Sequence, residues 1–257
     1  MTDDECMRIF DSQGEAYKEA LQIFLDHTDQ KRNARRWLQQ VVDGLPAKRV
    51  FIDAGAGNGE VTKAFAGAFA RTIAIEPNLT LLKQLQQALP SVEAIALPIL
   101  KAQPPAQADL VLSSHTFYYI PQDQWSEHLE RLVSWMSPTG VTIVVLLNRE
   151  TGCMNMLRRF FGHGFDLRRT VEALSQQTDR YHAVITTDPA TVDTPDLAKA
   201  YAVAEFMLNS VKMKQTPSKR EVEEYLEIHF KSQDGRYRIP VHQDFIEIRH
   251  REKSRQT

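Results

Sequence analysis

An alternation of short apolar runs with helical segments restricts the fold of this chain more than any other feature. Each run has the length and composition of a buried strand, and a segment with helical periodicity or a loop separates it from the next. The runs are, in chain order, "RVFIDA", "TIAIE", "VEAIAL", "ADLVLSSH" and "GVTIVVLL". Strands joined by crossover helices run parallel and carry helices on both faces of their sheet. The pattern therefore predicts a doubly wound, mostly parallel α/β sheet.

The segments between and around these strand runs predict the helices and the remaining strands. The first 47 residues have helical periodicity and predict two helices. Further helices are predicted at 58–70, 78–89, 122–136, 151–161 and 168–177, and two more within 195–230. "YHAVITTD" predicts a strand, and the closing "RYRIP" and "QDFIEIRH" alternate like antiparallel strands that pair with each other.

The organisation predicted from these elements is one domain over residues 1–257. No repeat, low-complexity tract or long linker divides the chain. The helices of residues 1–47 and the insert around 151–230 are therefore expected to form a cap on the substrate side of the sheet.

Composition and charge narrow the class of protein and of partner. The chain has 257 residues, 42% of them hydrophobic, and a formal net charge of −2, which gives no reason to expect a nucleic acid or an anionic membrane as partner. Its two cysteines, Cys6 and Cys153, are too few for a disulfide framework or a cysteine zinc site. The N-terminus lacks the apolar core of a signal peptide, and no run approaches the roughly 20 apolar residues of a membrane span. We expect a cytoplasmic enzyme with a small-molecule substrate and no metal.

Three glycines follow the first predicted strand at alternate positions, in "FIDAGAGNGE". Glycine tolerates positive φ and has no Cβ, so such a turn lets backbone approach a ligand closely. A Walker phosphate loop needs Lys and then Ser or Thr after its last glycine, whereas Glu60 and Val61 follow Gly59 here. The dinucleotide fingerprint separates its second and third glycines by three positions, whereas Gly57 and Gly59 are two apart. The loop is therefore not a Walker phosphate loop, and its spacing disfavours a dinucleotide such as NAD as the ligand.

The spacing of Asp53, Gly55, Gly57 and Gly59 resembles the "DxGxGxG" loop of class I S-adenosylmethionine-dependent methyltransferases, which have a Rossmann-like seven-stranded sheet with an antiparallel last strand. Glu76, at the end of the second strand run, stands where that fold's acidic residue accepts hydrogen bonds from both ribose hydroxyls. The resemblance implies S-adenosylmethionine as cofactor and a set of cofactor-binding residues, namely Asp53, Gly55, Gly57, Gly59, Glu76, Pro77 and Ser114. The alternative is that the glycines form only a tight turn and Glu76 is a solvated strand end.

Patches elsewhere are similar to the histamine N-methyltransferase family. They are "AYKEALQIFLDHTDQ", "SSHTFYYI", "TGCMNMLRRFFG" and "DFIEIRH". This resemblance implies that Asp29 holds the substrate amine, that His115 contacts the substrate ring and that Tyr119 lines the site. Asp29 and His115 stand where the family has glutamate and glutamine, so the resemblance does not carry histamine itself over as the substrate.

The predicted chemistry requires an acceptor atom held in line with the methyl carbon, with water excluded. An amine must be neutral to attack, and an unperturbed imidazole titrates near pH ~6.5, so His115 is the candidate proton acceptor. Asp29 would orient the substrate, and Tyr119 with its neighbours would supply an aromatic wall. Each has a structural alternative, because Asp29 can cap a helix, His115 can be a satisfied polar residue and a tyrosine can pack in the core.

Three functions follow from these residues. N-methylation of a small amine is favoured. The second is O-methylation of a carboxylate or hydroxyl, with an arginine cluster as a substrate clamp, formed by Arg158, Arg159, Arg168 and Arg169. The third is a non-catalytic protein that uses the cofactor fold as a binding module or scaffold.

Overall fold

The computed structural model describes residues 5–10, 14–162, 164–177, 180–209 and 215–251. These form two compact units. Of the described residues, the sheet unit comprises those within 35–146, 166–187 and 244–251. The accessory unit comprises those within 5–34, 147–165 and 188–243.

Nine strands lie within the described residues. They are β1 (Val50–Ala54), β2 (Arg71–Ile75), β3 (Glu93–Ile95), β4 (Ala108–Ser114), β5 (Met136–Leu147), β6 (Tyr181–Asp188), β7 (Thr191–Thr194), β8 (Tyr237–Pro240) and β9 (Gln243–His250).

Nine α-helices accompany them in the same ranges. They are α1 (Glu15–His27), α2 (Gln30–Asp43), α3 (Glu60–Phe65), α4 (Leu79–Ala88), α5 (Trp125–Ser134), α6 (Gly152–Phe161), α7 (Arg168–Gln177), α8 (Leu197–Leu208) and α9 (Lys219–His229). Single 3₁₀ turns occur at Ala66–Ala68, Ile99–Lys101, Phe117–Tyr119 and Gln122–Gln124. Among these helices none is long and apolar enough to cross a bilayer.

The seven-stranded sheet has the order β3-β2-β1-β4-β5-β9-β6. The neighbours β3, β2, β1, β4 and β5 pair in parallel, and the last strand runs antiparallel. This confirms the predicted mostly parallel, doubly wound sheet. The strand order reverses between β1 and β4, so the loops that leave their carboxyl ends diverge and open a crevice there.

The apolar runs became central strands because their side chains are buried on both faces of the sheet. Phe51 and Ile52 of β1, Ile73 of β2, and Leu110 and Leu112 of β4 are all fully or almost fully buried. Burying each such side chain contributes roughly 1.5–3 kcal/mol relative to exposure. The rigid core so formed holds the carboxyl ends of three adjacent strands in fixed register.

The accessory unit contains packed helices and a small sheet, and a buried carboxylate binds its N-terminal segment. Helices α1 and α8 pack on each other, and β7 pairs with β8 as a two-stranded antiparallel sheet. Glu205 of α8 is fully buried and accepts hydrogen bonds from the backbone and the guanidinium of Arg8, at 2.9 and 2.6 Å. A buried carboxylate needs such partners, so this pairing ties the N-terminal segment to α8.

Three details differ from the predictions. The strands "RYRIP" and "QDFIEIRH" do not pair with each other, because β8 pairs with β7 while β9 lies in the large sheet between β5 and β6. The four-residue strand β7 was missed because "TVDT" is short and three of its four residues are polar. In addition, the predicted helix 58–70 is shorter, since α3 spans only Glu60–Phe65 before a 3₁₀ turn.

Candidate functional site

The candidate site lies in the sheet unit, at the carboxyl ends of β1, β2 and β4. The register of β1 on β2 and on β4 brings these ends to one edge of the sheet. The glycine loop, defined as residues 55–59, follows β1. Glu76 directly follows β2, and His115 directly follows β4.

The three glycines of the loop all have left-handed backbone, with φ of 82°, 56° and 89°. Two of them are required by internal packing. A Cβ on Gly55 would lie 2.3 Å from the Oγ1 of Thr116, and one on Gly59 would lie 2.8 Å from the Cγ of Leu85. A Cβ on Gly57 would meet nothing within 4 Å. Gly57 is therefore the position in the loop where a ligand could approach the backbone closely.

Glu76 lies beside this open position. Its carboxylate is only 8% exposed and accepts hydrogen bonds from the backbone N–H of Gly57 at 2.9 Å and of Asn78 at 2.8 Å. A carboxylate has about four lone-pair sites, so two acceptor positions remain beyond these bonds. The side chain is thus held in place with acceptor capacity for a ligand that carries hydroxyl donors.

Asp53, at position four of β1, is a second buried carboxylate at this edge. It is 2% exposed, and its Oδ2 accepts a hydrogen bond from the hydroxyl of Thr62 at 2.6 Å. Burial raises the pKa of the Asp53 carboxyl to about 6, the Thr62 hydrogen bond opposes the rise, and the charge of Glu76 adds to it. Both carboxylates favour a cationic ligand group nearby.

Asp53→Asn is expected to stabilise the protein at neutral pH. A carboxyl whose pKa is raised on folding contributes stability while protonated and loses it as pH rises from about 4 to about 6. The neutral amide avoids this loss and can still accept from Thr62. Denaturant titrations at pH 4 and pH 7.5 should show equal stability at the lower pH and a variant more stable by about 1–3 kcal/mol at the higher. A constant difference between the two proteins across this range would contradict the assignment.

His115 follows the end of β4 in a strained conformation. Its φ of 57° is the one positive value of a non-glycine residue among the described residues. Its backbone N–H donates to the carbonyl of Val145 at 2.9 Å, and its Nδ1 lies 3.4 Å from the hydroxyl of Tyr118, whose ring stacks on the imidazole. Non-glycine residues held at positive φ cluster at functional sites. Ser114, just before His115, pairs with Val145 at the end of the strand.

Two other predicted residues are exposed to solvent. Pro77 is exposed after Glu76, and the side chain of Tyr119 is 75% exposed. The tyrosine that contacts His115 is Tyr118.

Asp29 belongs to the accessory unit and has a structural contact there. Its Oδ1 accepts a hydrogen bond from the backbone N–H of Thr191 at 2.8 Å, which joins the start of α2 to β7. Thr28 accepts from the N–H of Gln30 through its hydroxyl, so Thr28 supplies the side-chain cap at this helix start. The contact between Asp29 and a substrate remains a prediction.

The arginines proposed as a carboxylate clamp are divided between the two units. Arg158 and Arg159 lie in α6 of the accessory unit. Arg168 and Arg169 lie in α7 of the sheet unit. Arg168 pairs with the buried carboxylate of Asp244 at 3.2 Å, and Arg158 donates to the side chain of Asn155. The guanidinium of Arg159 lies over the ring of Phe160, so three of the four guanidiniums already have protein partners.

Two threonines of the site were missed in the sequence. Thr62 donates to Asp53, and Thr116 donates to the carbonyl of Ala54 at 3.2 Å and packs against Gly55. Their signal is weak, because a threonine in the helix after the loop or just after a strand is common. Within the described residues no group of three or more His, Cys, Asp or Glu side chains is arranged to hold a metal ion.

These residues fit the cofactor expected from the sequence. Gly57 provides open backbone, Glu76 has acceptor positions for a ribose diol, and the buried carboxylates of Asp53 and Glu76 complement a cation. S-adenosylmethionine carries a ribose, the counterpart of the Glu76 acceptors, and an ammonium and a sulfonium, the counterparts of the two carboxylates.

Comparison with known proteins agrees with this fit. Residues 51–140 match the model of a family described as a methyltransferase domain. Trans-aconitate 2-methyltransferase of Rhodopseudomonas palustris (strain BisB18) is 28% identical over 122 residues. That alignment covers 47% of this chain and 47% of the relative, so the chain matches about half the length of that protein.

Solved structures share the fold. The N-methyltransferase NodS from Bradyrhizobium japonicum WM9, in complex with S-adenosyl-L-homocysteine, superposes with a TM-score of 0.56 at 14% identity, covering 93% of this chain and all of that one. The YcgJ protein of Bacillus subtilis gives a TM-score of 0.60 at 12% identity, covering 84% of this chain and 98% of that one. Residues 51–140 thus match a methyltransferase domain, and the chain shares its fold with a solved N-methyltransferase structure.

Proposed function

We propose that this protein transfers a methyl group from S-adenosylmethionine to a small-molecule acceptor, and that the acceptor atom is the nitrogen of a small amine. The observation that carries the cofactor half is the carboxylate of Glu76 held by Gly57 beside the open face of the glycine loop. The observation that favours nitrogen is His115, a potential proton acceptor held at a positive φ at the adjacent strand end.

The chain's own residues would act by binding, orientation and proton transfer. When bound, S-adenosylmethionine supplies a methyl group activated by its sulfonium. Glu76 would hold the ribose hydroxyls, and the backbone at Gly57 would permit close approach of the ligand. His115 in its neutral form would accept the proton that the amine loses, directly or through one water. Asp29 is proposed, from the sequence resemblance alone, to orient the cationic end of the acceptor.

A second candidate is O-methylation of a carboxylate. It is supported by the name of the relative, trans-aconitate 2-methyltransferase, which specifies an organic acid anion as the acceptor of that protein. A carboxylate is already deprotonated and needs no proton acceptor, so His115 would have no chemical role in this reaction. The partners of Arg168 and Arg158 within the protein weaken the arginine clamp that this reading requires.

Calorimetric titration with S-adenosylmethionine and S-adenosylhomocysteine tests the cofactor half. Glu76→Ala removes acceptors for charged hydrogen bonds and should weaken binding by about 1–3 kcal/mol, which is roughly 5- to 150-fold. The matched control is Glu93→Ala on the neighbouring strand β3, where the carboxylate is exposed and pairs with Arg71. That variant should bind both ligands like the natural protein. Absence of binding to the natural protein would refute the proposed function, and equal affinity of both variants would refute the role of Glu76.

A further inference from the structure

The turn after β4 contains a threonine that contacts both halves of the candidate site. Thr116 follows His115 directly, and its hydroxyl donates to the carbonyl of Ala54 at 3.2 Å and lies 3.4 Å from the carbonyl of Ser114. Ala54 and Ser114 are the last residues of β1 and β4. One hydroxyl therefore joins the ends of the two strands between which the order of the sheet reverses.

The same side chain is fitted to the glycine loop. A Cβ on Gly55 would lie 2.3 Å from the Oγ1 of Thr116, 2.6 Å from its Cγ2 and 3.0 Å from its own Cβ. Contacts under 3.0 Å are not tolerated, so the threonine occupies the space that glycine leaves free. Gly55 and Thr116 thus fix the position of the loop relative to the turn.

His115 is held from both sides by these bonds. Its own N–H is bonded to the carbonyl of Val145, and the next residue is bonded to Ala54. A histidine at positive φ is unfavourable in isolation and persists where the surrounding bonds determine it. The hydroxyl of Thr116 supplies one of those bonds.

We propose that Thr116 is a positioning residue for methyl transfer, which sets His115 relative to the glycine loop. The proposal rests on the proposed function for the role of His115, and its geometric part is independent of that function. Thr116 acts through His115 and the loop. A small displacement of a reacting group, of about 1 Å, can cost on the order of 100-fold in rate, so a single hydroxyl at this junction can affect turnover strongly.

The test compares Thr116→Val, which keeps the shape but removes the hydroxyl, with Thr116→Ser, which keeps the hydroxyl. Thr116→Val should lower kcat for an amine acceptor by about 10-fold or more while the affinity for S-adenosylmethionine changes by less than about 3-fold. Thr116→Ser should restore kcat to within about 2-fold of the natural protein. Ser137→Ala is the control for loss of a buried hydroxyl, since Ser137 donates to Asp109, outside the turns of the site. It should leave kcat unchanged.

A second readout does not need catalysis. NMR titration of the His115 imidazole should give an altered midpoint and altered ring shifts in Thr116→Val, whereas Thr116→Ser and Ser137→Ala should match the natural protein. Unchanged His115 signals and unchanged kcat in Thr116→Val would overturn the proposal, and so would a Thr116→Ser variant as impaired as Thr116→Val. If the natural protein bound no S-adenosylmethionine, the proposed function would fail, and the NMR comparison would still decide whether Thr116 positions His115.

Discussion

His115→Asn should lower kcat/KM for an amine acceptor by about 10²- to 10⁴-fold, the range that a positioned general base contributes. Asparagine is the informative replacement because it adopts positive φ more readily than other non-glycine residues and retains hydrogen-bonding groups. The φ of 57° at this position would strain an alanine. The rate loss in the asparagine variant can therefore be attributed to the missing proton acceptor.

The pH dependence of kcat/KM tests whether His115 acts as the proton acceptor. Only the neutral imidazole accepts a proton, so kcat/KM of the natural protein should rise with pH as His115 loses its proton, and this limb should vanish in His115→Asn. Assays across pH 5.5–8.5 with a panel of primary amines and, separately, trans-aconitate measure both reactions. Tyr118→Phe is the matched control, because it removes the hydroxyl 3.4 Å from Nδ1 and keeps the imidazole.

The result also separates the two proposed acceptors. A carboxylate has no proton to lose, so its methylation should change by less than about 2-fold in His115→Asn. Activity of the natural protein on trans-aconitate alone, with no loss in the variant, would replace the amine proposal with the carboxylate one. An amine methylation that His115→Asn leaves intact would remove His115 from the mechanism.

The central sheet could be predicted from the sequence because parallel strands are buried on both faces and are therefore apolar throughout. Strands β1, β2 and β4 have continuous runs of buried residues, and the structure places them where those runs occur. Strand β7 could not be predicted, because four residues of mixed polarity gain their order from pairing with β8, about 45 positions later in the chain. The same long-range pairing decided that β8 and β9 would not pair with each other.

The candidate site was predictable only as far as residue type and strand position allow. The motif placed Asp53, the glycines and Glu76 at adjacent strand ends, since parallel strands direct their carboxyl ends to one edge. It could not reveal that Asp29 would accept a hydrogen bond from Thr191, 162 positions away. Nor could it reveal that Thr116 packs against Gly55, because both contacts depend on how separate segments meet.

Substituting the glycines of the loop one at a time should separate stability from cofactor binding. Gly55→Ala must accept positive φ and a Cβ 2.3 Å from Thr116, so it should lower the free energy of unfolding by about 2–5 kcal/mol.

Gly57→Ala meets no neighbouring atom and should lower the free energy of unfolding only by the cost of positive φ for alanine, about 1–2 kcal/mol. Its methyl group would project from the open face of the loop, so it should weaken S-adenosylmethionine binding at least 10-fold if the ligand approaches backbone there. Gly67→Ala, with neither positive φ nor a close neighbour, is the control: it should leave S-adenosylmethionine binding unchanged and alter the free energy of unfolding by no more than about 1 kcal/mol. Denaturant unfolding and calorimetry on the same three variants give both numbers. A Gly57→Ala variant that binds S-adenosylmethionine like the natural protein would move the ligand away from this face of the loop.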